Sequence, residues 1–440
     1  MYQPALGGTL APNLRAGAMT RPFFMATGAE RSGRALASPA VLVTPFGVAR
    51  TQGGTSTAQA ANGTALTSYA ANTPRFDGTG SRLLVEPAAT NLALWSNDLS
   101  NPAWSKAARV TGTVSGSVVA PDGTFASVLA EDATLSSTHF ASQSVTVSSG
   151  TTYTISAVVK ADTRNWGYFQ FPAAAFTTLS RAYFNATTGA WGNVTGSIVT
   201  ATPVNLGNGW WRFSCSLAAT ANVASVFGLG LAQADNTPTY DGLSQQMLSG
   251  GAQIEATRYR TSYIPTTTAA LARAADAVTA PVTSVFPNSK GTVIADWTLN
   301  TLPTGSFTMG VSLYTDANNY LAIYAQSTGT ALLCWMVNGG AGAFASGASL
   351  PAYVLGTPMR VAMSFDYSGA GGTHTIATAA ALVGGASGSA SGSGLTFPAL
   401  STVGIGKYAT DAAGTSTFGV VRFLPYALSA GDLLSIVKGP

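Results

Sequence analysis

The sequence is poor in charge. Only 9% of its 440 residues are Asp, Glu, Lys or Arg, against roughly 25% in an ordinary soluble domain. The 21 basic residues are scattered and form none of the runs that typify nucleic-acid-binding surfaces. We therefore expect no nucleic-acid partner despite a net charge of +4. The surface has to be built from Ser, Thr, Asn, Gln and Gly.

Cysteine and long apolar runs are also scarce. The two cysteines, Cys215 and Cys334, lack the C-x-x-C spacing of metal or redox sites, so we expect buried, unpaired thiols. The sequence has no run of about 18 apolar residues, the length that suggests a membrane span. The N-terminus has no apolar stretch of signal-peptide length. We expect a protein made in a bacterial cytoplasm, with no membrane partner.

The usual signatures of catalysis are missing. The 17 acidic residues are spread thinly, and the adjacent pair Glu131 and Asp132 would face opposite ways on a strand. A glycosidase instead needs two carboxylates opposed across a cleft. His139 and His374 are the two histidines and fall in different predicted domains, and neither G-x-S-x-G nor a P-loop occurs. We expect no enzymatic activity and no cofactor.

Glycine, proline and alternating apolar residues are abundant. The 49 Gly and 21 Pro favour short strands joined by tight turns. In residues 211–217, Trp211, Phe213, Cys215 and Leu217 alternate with polar residues, which predicts one face in a core and one in water. The neighbouring Trp210 must then face away from that core, under another segment. The pattern predicts an all-β fold.

The strand pattern divides the chain into four parts. Residues 1–94 are predicted to form an extended N-terminal arm for particle attachment or subunit contacts, and residues 95–264 a first sandwich. An Ala-rich linker is predicted at 265–280, followed by a second sandwich at 281–440. Within the latter, Gly384–Gly394 is predicted to be a flexible loop, and Ser429–Val437 a terminal helix capped by Ser429.

Several segments, in order and spacing, resemble a module of phage and prophage tail-fibre and head-spike proteins. They are Thr73–Asp77, Leu83–Leu92, Trp95–Asp98, Trp104–Lys106, Pro121–Thr124, Gly207–Arg212, Gly251–Glu255, Thr261–Thr266 and Arg273–Asp276. The C-terminal part resembles a concanavalin or laminin-G type sandwich, at Asp316–Tyr320, Arg360–Gly369, Ile405–Gly406, Val421–Phe423 and Leu428–Ser429.

These resemblances imply two antiparallel β-sandwiches of jelly-roll type in tandem after the arm, with the first similar to carbohydrate-binding modules. They imply a virion fibre or spike subunit, exposed on the particle, that attaches to host capsule or lipopolysaccharide by non-covalent glycan binding. The arm would contact other virion proteins. A homo-oligomer is expected, with a trimer as the first hypothesis. The alternatives are a purely structural connector and a capsule depolymerase.

Sugar recognition needs flat rings for stacking and amides, carboxylates or guanidinium groups for the hydroxyls. In the first sandwich these groups are Arg164, Asn165, Trp166, Tyr168 and Trp191. The alternative is that Trp166 and Tyr168 pack inside the sandwich, and for Trp191 exposure and burial remain equally open.

In the second sandwich the candidate sugar-binding residues are Asn319, Tyr320 and Trp335. The loop before them carries Asp316 and Asn318, whose oxygens suit a hard cation such as Ca²⁺. An ordinary Asn/Asp turn is the alternative for that loop.

Overall fold

The computed structural model describes residues 47–49, 56–59, 65–78, 82–301, 307–327, 329–368, 374–409 and 414–439. It is an all-β fold of antiparallel sheets, which confirms the fold class predicted from the sequence. Residues 1–46 of the expected particle-attachment arm lie outside the described residues. None of the helices in the described ranges is both long and apolar enough to cross a membrane.

The strands are numbered in chain order. Those before the first sandwich are β1 Gly47–Ala49, β2 Ser56–Gln59, β3 Leu66–Tyr69, β4 Arg75–Asp77, β5 Arg82–Val85 and β6 Ala89–Asn91. The next are β7 Ser105–Ala108, β8 Val110–Val119, β9 Phe125–Glu131, β10 Ser137–Val147, β11 Thr152–Ala161, β12 Trp166–Phe171, β13 Ser180–Asn185, β14 Ala190–Val194, β15 Val199–Thr200, β16 Val204–Asn205, β17 Trp210–Ala218, β18 Val223–Ala232, β19 Thr239–Tyr240 and β20 Gln246–Glu255.

The remaining strands are β21 Leu271–Arg273, β22 Ala277–Pro281, β23 Lys290–Leu299, β24 Phe307–Asp316, β25 Asn319–Gln326, β26 Leu332–Asn338, β27 Ala341–Ala345, β28 Met359–Asp366, β29 Thr375–Leu382, β30 Ser387–Ser393, β31 Thr402–Ile405 and β32 Ser416–Leu424. The helices are α1 Ala173–Phe176, α2 Val282–Val285 and α3 Ala430–Lys438, with a 3₁₀ turn at Gly347–Ser349.

The first sandwich packs two sheets over an aromatic core. Sheet I has the order β14-β13-β12-β18-β10-β19, with β7 beside β10, and sheet II has the order β15-β17-β11-β20-β9-β8, with β16 beside β17. Phe184 of sheet I stacks on Phe213 of sheet II with ring centroids 4.6 Å apart. Such alternating inward residues hold the two sheets together as one hydrophobic core.

The second sandwich encloses the first one in the sequence. Sheet III has the order β1-β22-β31-β24-β25-β26-β27, and sheet IV the order β30-β29-β28-β23-β32-β5-β4. Strand β5 precedes the first sandwich in the chain, whereas the strand next to it, β32, is the last one. We therefore call the first sandwich the inserted sandwich and the second the outer sandwich. The two are nested along the chain and not in tandem as the sequence suggested.

The same pairing changes the expected arm and linker. Leu83 and Val85 of the expected arm, and Val278 of the expected linker, lie in the core of the outer sandwich at 1% exposure or less. Strands β6 and β21 pair where the chain enters and leaves the inserted sandwich. Burial of these apolar side chains turns both segments into parts of the sandwich. The described part of the arm is thus folded, and residues 271–273 and 277–280 of the expected linker are paired strands.

A polar face of sheet II is buried, contrary to expectation. Phe213, Cys215 and Leu217 lie in the core as predicted, but Arg212 and Ser214 on the opposite face are only 4% and 2% exposed. Leu66 of β3 and Tyr263 pack around Trp210 beside this face. The covering segment predicted for Trp210 is therefore present, and it also shields the polar residues from water.

The C-terminal region shows one confirmed prediction and one wrong one. Helix α3 begins after Ser429, whose side chain accepts from Asp432 N while the Asp432 carboxylate accepts from Ser429 N, so the predicted cap is present. The helix packs on the outer side of sheet IV through Leu433 and Val437. Residues 387–393 form the edge strand β30 and not the flexible loop expected from their Gly and Ser content. Both cysteines are unpaired and buried, as expected.

Candidate functional site: aromatic surfaces of the two sandwiches

The outer side of sheet III carries a cluster of aromatic rings. Residues of β25 alternate, so Leu321 and Ile323 enter the core while Tyr320 and Tyr324 point outward. We call this surface the tyrosine face and define its rings by their shared position on or beside the outer side of sheet III. They are Phe307, Tyr314, Tyr320, Tyr324, Trp335 and Tyr408.

The rings of the tyrosine face pack edge to face. Tyr408 is central, with its ring centroid 4.9 Å from that of Tyr320, 5.9 Å from that of Phe307 and 6.2 Å from that of Tyr314. The Trp335 ring lies across Gly342 of β27, where an added Cβ would come within 3.2 Å of it. This mutual packing fixes the rings before any ligand arrives.

The tyrosines of this face differ in exposure: Tyr320 is half-exposed, whereas Tyr314, Tyr324 and Tyr408 are 8%, 6% and 7% exposed. The Oη atoms of Tyr314, Tyr320, Tyr324 and Tyr408 make no hydrogen bond to another described residue. Burial raises the pKa of Tyr324 to about 12 and raises the pKa of Tyr314, Tyr320 and Tyr408 as well. The phenols thus stay neutral near pH 7 and serve both as donors and acceptors.

Coverage distinguishes the two outer sides of this sandwich. Helix α3 covers the outer side of sheet IV. The cluster on the outer side of sheet III consists, among the described residues, of side chains from the strands of that sheet together with Ala331 and Tyr408. Phe307, Tyr320 and Trp335 remain half-exposed. Two of the residues proposed from the sequence, Tyr320 and Trp335, therefore meet on one partly open aromatic surface.

The loop beside this face is an ordinary hydrogen-bonded turn. Asp316 Oδ1 accepts from Asn318 N at 2.8 Å and from Asn319 Nδ2 at 3.0 Å, and Asn319 Oδ1 accepts from Gly339 N. No group of three metal-ligating His, Cys, Asp or Glu side chains occurs in the described ranges. Asp316 and Asn318 are exposed, but the turn gives a calcium ion one carboxylate only.

The candidates of the inserted sandwich separate into different environments. Arg164 is 5% exposed, and its guanidinium pairs with Glu131 at 2.6 Å, so it is a buried structural cation. Tyr168 is fully buried on the outer side of sheet I, where its ring lies against Gly230. A sugar cannot stack on either side chain, which corrects the expectation for both residues.

The three remaining candidates of the inserted sandwich, Trp166, Trp191 and Asn165, differ in exposure and in the side of sheet I on which they lie. Trp166 is half-buried and packs on the outer side of sheet I with Tyr168 and Tyr183. Trp191 faces the opposite way, against the core, and its indole N–H donates to Ala201 O at 2.7 Å. Asn165 is exposed. These residues do not converge on one binding site, because sheet I separates Trp191 from Trp166.

The sequence reasoning missed most of the tyrosine face. Phe307, Tyr314, Tyr324 and Tyr408 were not proposed, although the alternation of residues 320–324 places Tyr320 and Tyr324 on the same side of a strand. Tyr314 lies directly across from Tyr320 in the register of β24 and β25. Only that register, which the sequence does not reveal, brings these rings together.

Comparisons with known proteins place the chain in no named family. No protein-family model and no curated protein matches it. One similar solved structure is the CBM22-1–CBM22-2 tandem of Paenibacillus barcinonensis Xyn10C, at 10% identity and a TM-score of 0.25, covering 77% of this chain and 98% of that one. Another is a xylan β-1,4-xylosidase of Bacillus halodurans C-125, at 11% identity and a TM-score of 0.25, covering 81% and 77%. Similarity at this level assigns no function.

Proposed function

We propose that this chain is a non-enzymatic structural subunit of a bacteriophage or phage-like particle, a fibre or spike that attaches to host surface polysaccharide through the tyrosine face. The resemblance to tail-fibre and head-spike modules over residues 73–278 supports the virion role. The partly open aromatic cluster on sheet III carries the glycan-binding part of the proposal, since the half-exposed rings of Phe307, Tyr320 and Trp335 can stack on pyranoses.

The low charge of the chain fits this role. Only 9% of its residues are charged, so glycan recognition through hydroxyls and rings depends little on salt. A single aromatic surface of this kind binds weakly, and several copies on one particle gain strength by avidity. We propose a homo-oligomer for this reason, with a trimer as the first hypothesis.

The proposal does not include catalysis, because two of the carboxylates are buried in ion pairs. Glu86 and Glu131 are engaged with Arg75 and Arg164 inside the protein. The proposal therefore favours retention of the glycan over its cleavage. A purely structural connector remains the second candidate, because the same rings would suit contacts between virion proteins.

The test is binding of the intact chain to host cells and to isolated capsule or lipopolysaccharide, with glycan length followed over time. We expect saturable binding without shortening, and a loss of about tenfold in affinity when Tyr320 and Trp335 are both changed to Ala. The matched control is Tyr426→Ala, since Tyr426 is 44% exposed and not among the rings of the face. Absence of binding would favour the connector, and shortened glycan would indicate a depolymerase.

A further inference from the structure

A groove opens where the chain enters and leaves the inserted sandwich. Its volume is about 610 Å³, and its walls come from Trp95, Asn97, Asp98, Thr124 and residues 265–271. The two longer segments are held together by Thr266 N donating to Ser96 Oγ at 2.9 Å and Trp95 N donating to Thr267 O at 2.9 Å. The groove is thus a formed feature of the fold, distant in sequence from the tyrosine face.

Trp95 in this groove has a strained backbone. Its φ of +48° lies in the left-handed region, which is rare for a large side chain. Its carbonyl oxygen accepts from Asp98 N at 2.9 Å and from the indole N–H of Trp104 at 3.1 Å. Trp95 is half-buried, packs against the core of the inserted sandwich and lines the groove. Several hydrogen bonds therefore hold a costly backbone conformation at the wall of the groove.

Polar groups around the ring are unused. Asp98 Oδ1 accepts from Ser100 N at 2.9 Å, but Asp98 Oδ2, the hydroxyls of Thr267 and Thr268 and the Trp95 indole N–H have no partner among the described residues. Asn97, in contrast, is occupied by Asp122, Gly251 and Tyr263. The groove consequently combines one ring with free donors and acceptors, which are the groups that saccharides need.

The charge of the groove selects among saccharides. Its lining includes the carboxylate of Asp98 and no Lys, Arg or His. The nearby ammonium of Lys106 is directed at the backbone carbonyls of Leu99, Asn101 and Trp104. Lys106 also interacts electrostatically with Asp98 and offsets part of its charge. An anionic sugar would still meet the like charge of Asp98 at the groove, whereas an amino sugar would gain an ion pair with it.

We propose that this groove binds a saccharide of neutral or amino-substituted hexoses, with a ring stacked on Trp95, hydroxyls bonded to Thr267 and Thr268, and Asp98 as the selector against uronic acids. The proposal shares glycan chemistry with the function proposed above but uses a separate surface. Variants of the two surfaces therefore fail independently.

The experiment is calorimetric titration of the intact chain with three oligosaccharides of equal length, made of glucosamine, N-acetylglucosamine or galacturonic acid. We expect glucosamine to bind best and galacturonate to bind at least about tenfold more weakly. Ala270→Trp fills the groove from an exposed position and should abolish binding. Ala272→Trp, also exposed and outside the groove, is the matched control.

Further variants separate binding from folding. Trp95→Ala should abolish binding, but it also removes core contacts, so its thermal stability must be compared with that of Ala270→Trp. Asp98→Asn keeps an acceptor for Ser100 and should reduce the preference for glucosamine over galacturonate. Tyr320→Ala with Trp335→Ala should leave these titrations unchanged. Equal affinity for galacturonate and glucosamine, or unaltered binding by Ala270→Trp, would overturn the proposal.

Discussion

Arg75 donates a hydrogen bond to Asp276, which lies 201 positions further along the chain, and both side chains are buried. The same guanidinium reaches Glu86 Oε2 at 2.8 Å and Ser262 Oγ. Arg273 also approaches Glu86, at 3.4 Å. These residues belong to the chain segments that lead into and out of the inserted sandwich. The ion pairs therefore hold these two connecting segments together. Several residues of the segments Thr73–Asp77, Leu83–Leu92, Thr261–Thr266 and Arg273–Asp276 thus have a structural role in this chain.

Glu86 should make stability depend on acid. Arg273 and Arg75 lower its pKa to about 2 against its own burial, which acts in the opposite direction. A carboxyl group whose pKa is lower in the folded than in the unfolded state stabilises the fold at pH values above its unfolded-state pKa. This stabilisation is lost as the pH falls towards the folded-state pKa. The free energy of unfolding should therefore fall by about 3 kcal/mol between pH ~4.5 and pH ~2, because a tenfold difference in proton affinity between the folded and unfolded states corresponds to ~1.4 kcal/mol.

The variant Glu86→Gln should lose that part of the pH dependence and be less stable near neutral pH by about 3 kcal/mol, because the buried guanidinium groups of Arg75 and Arg273 then lack the charge of Glu86 and share Asp276 alone. Urea unfolding across this pH range measures both effects. Asp162→Asn, at an exposed position, is the control and should keep the slope of the wild type. An acid slope in Glu86→Gln equal to that of the wild type would contradict the assignment.

Two buried tyrosines should respond in opposite ways to the same change. Tyr168 Oη is buried without a hydrogen-bond partner among the described residues, whereas Tyr240 Oη donates to Glu131 Oε2 at 2.6 Å. Removal of an unpaired buried hydroxyl relieves its desolvation cost, so Tyr168→Phe should raise the free energy of unfolding by about 1 kcal/mol. Tyr240→Phe should lower it by about 1–3 kcal/mol. Urea unfolding of the pair decides, and a destabilised Tyr168→Phe would refute the first statement.

The sequence predicted local structure better than connections. Alternation correctly placed Phe213, Cys215 and Leu217 in a core, and residue type correctly identified Ser429 as a cap, because both features depend on neighbours in the chain. It did not reveal that β5 pairs with β32, since Leu83 and Phe418 meet only through tertiary packing. The Gly and Ser content of β30 likewise indicated a loop, but pairing with β29 made it a strand.

The candidate site was predictable only in part for the same reason. Tyr320 and Trp335 were identified by residue type, and the fold brings them to one face. Tyr168 was chosen by the same rule and is buried, because Gly230 on the next strand leaves room for its ring to lie flat. A single sequence shows which side of a strand a residue occupies relative to its neighbours, but not what covers that side.

Calcium should not alter the stability of the chain through Asp316. Its carboxylate already accepts hydrogen bonds from Asn318 N and Asn319 Nδ2, and it has no second carboxylate nearby among the described metal-ligating residues. Thermal unfolding with calcium and with a chelator should give the same midpoint for wild type and for Asp316→Asn. A calcium-dependent rise in the wild type that Asp316→Asn abolishes would restore the cation site.

Lys106 should stabilise the loop that carries Asp98. Its Nζ donates toward four carbonyl oxygens, those of Leu99, Ser100, Asn101 and Trp104, at 2.8–3.2 Å. Lys106→Met keeps the aliphatic stem but leaves these acceptors without their cation, so the free energy of unfolding should fall by about 1–3 kcal/mol.

A small monovalent cation should restore part of the stability lost in Lys106→Met, because the four carbonyl oxygens can coordinate such an ion in place of the ammonium group. Unfolding of Lys106→Met in potassium chloride and in tetramethylammonium chloride of equal concentration measures this, since the second cation is too large to enter. Lys160→Met, on β11, is the control for loss of a lysine. If both salts stabilise Lys106→Met equally, the effect is general screening and the four carbonyls do not act as a cage.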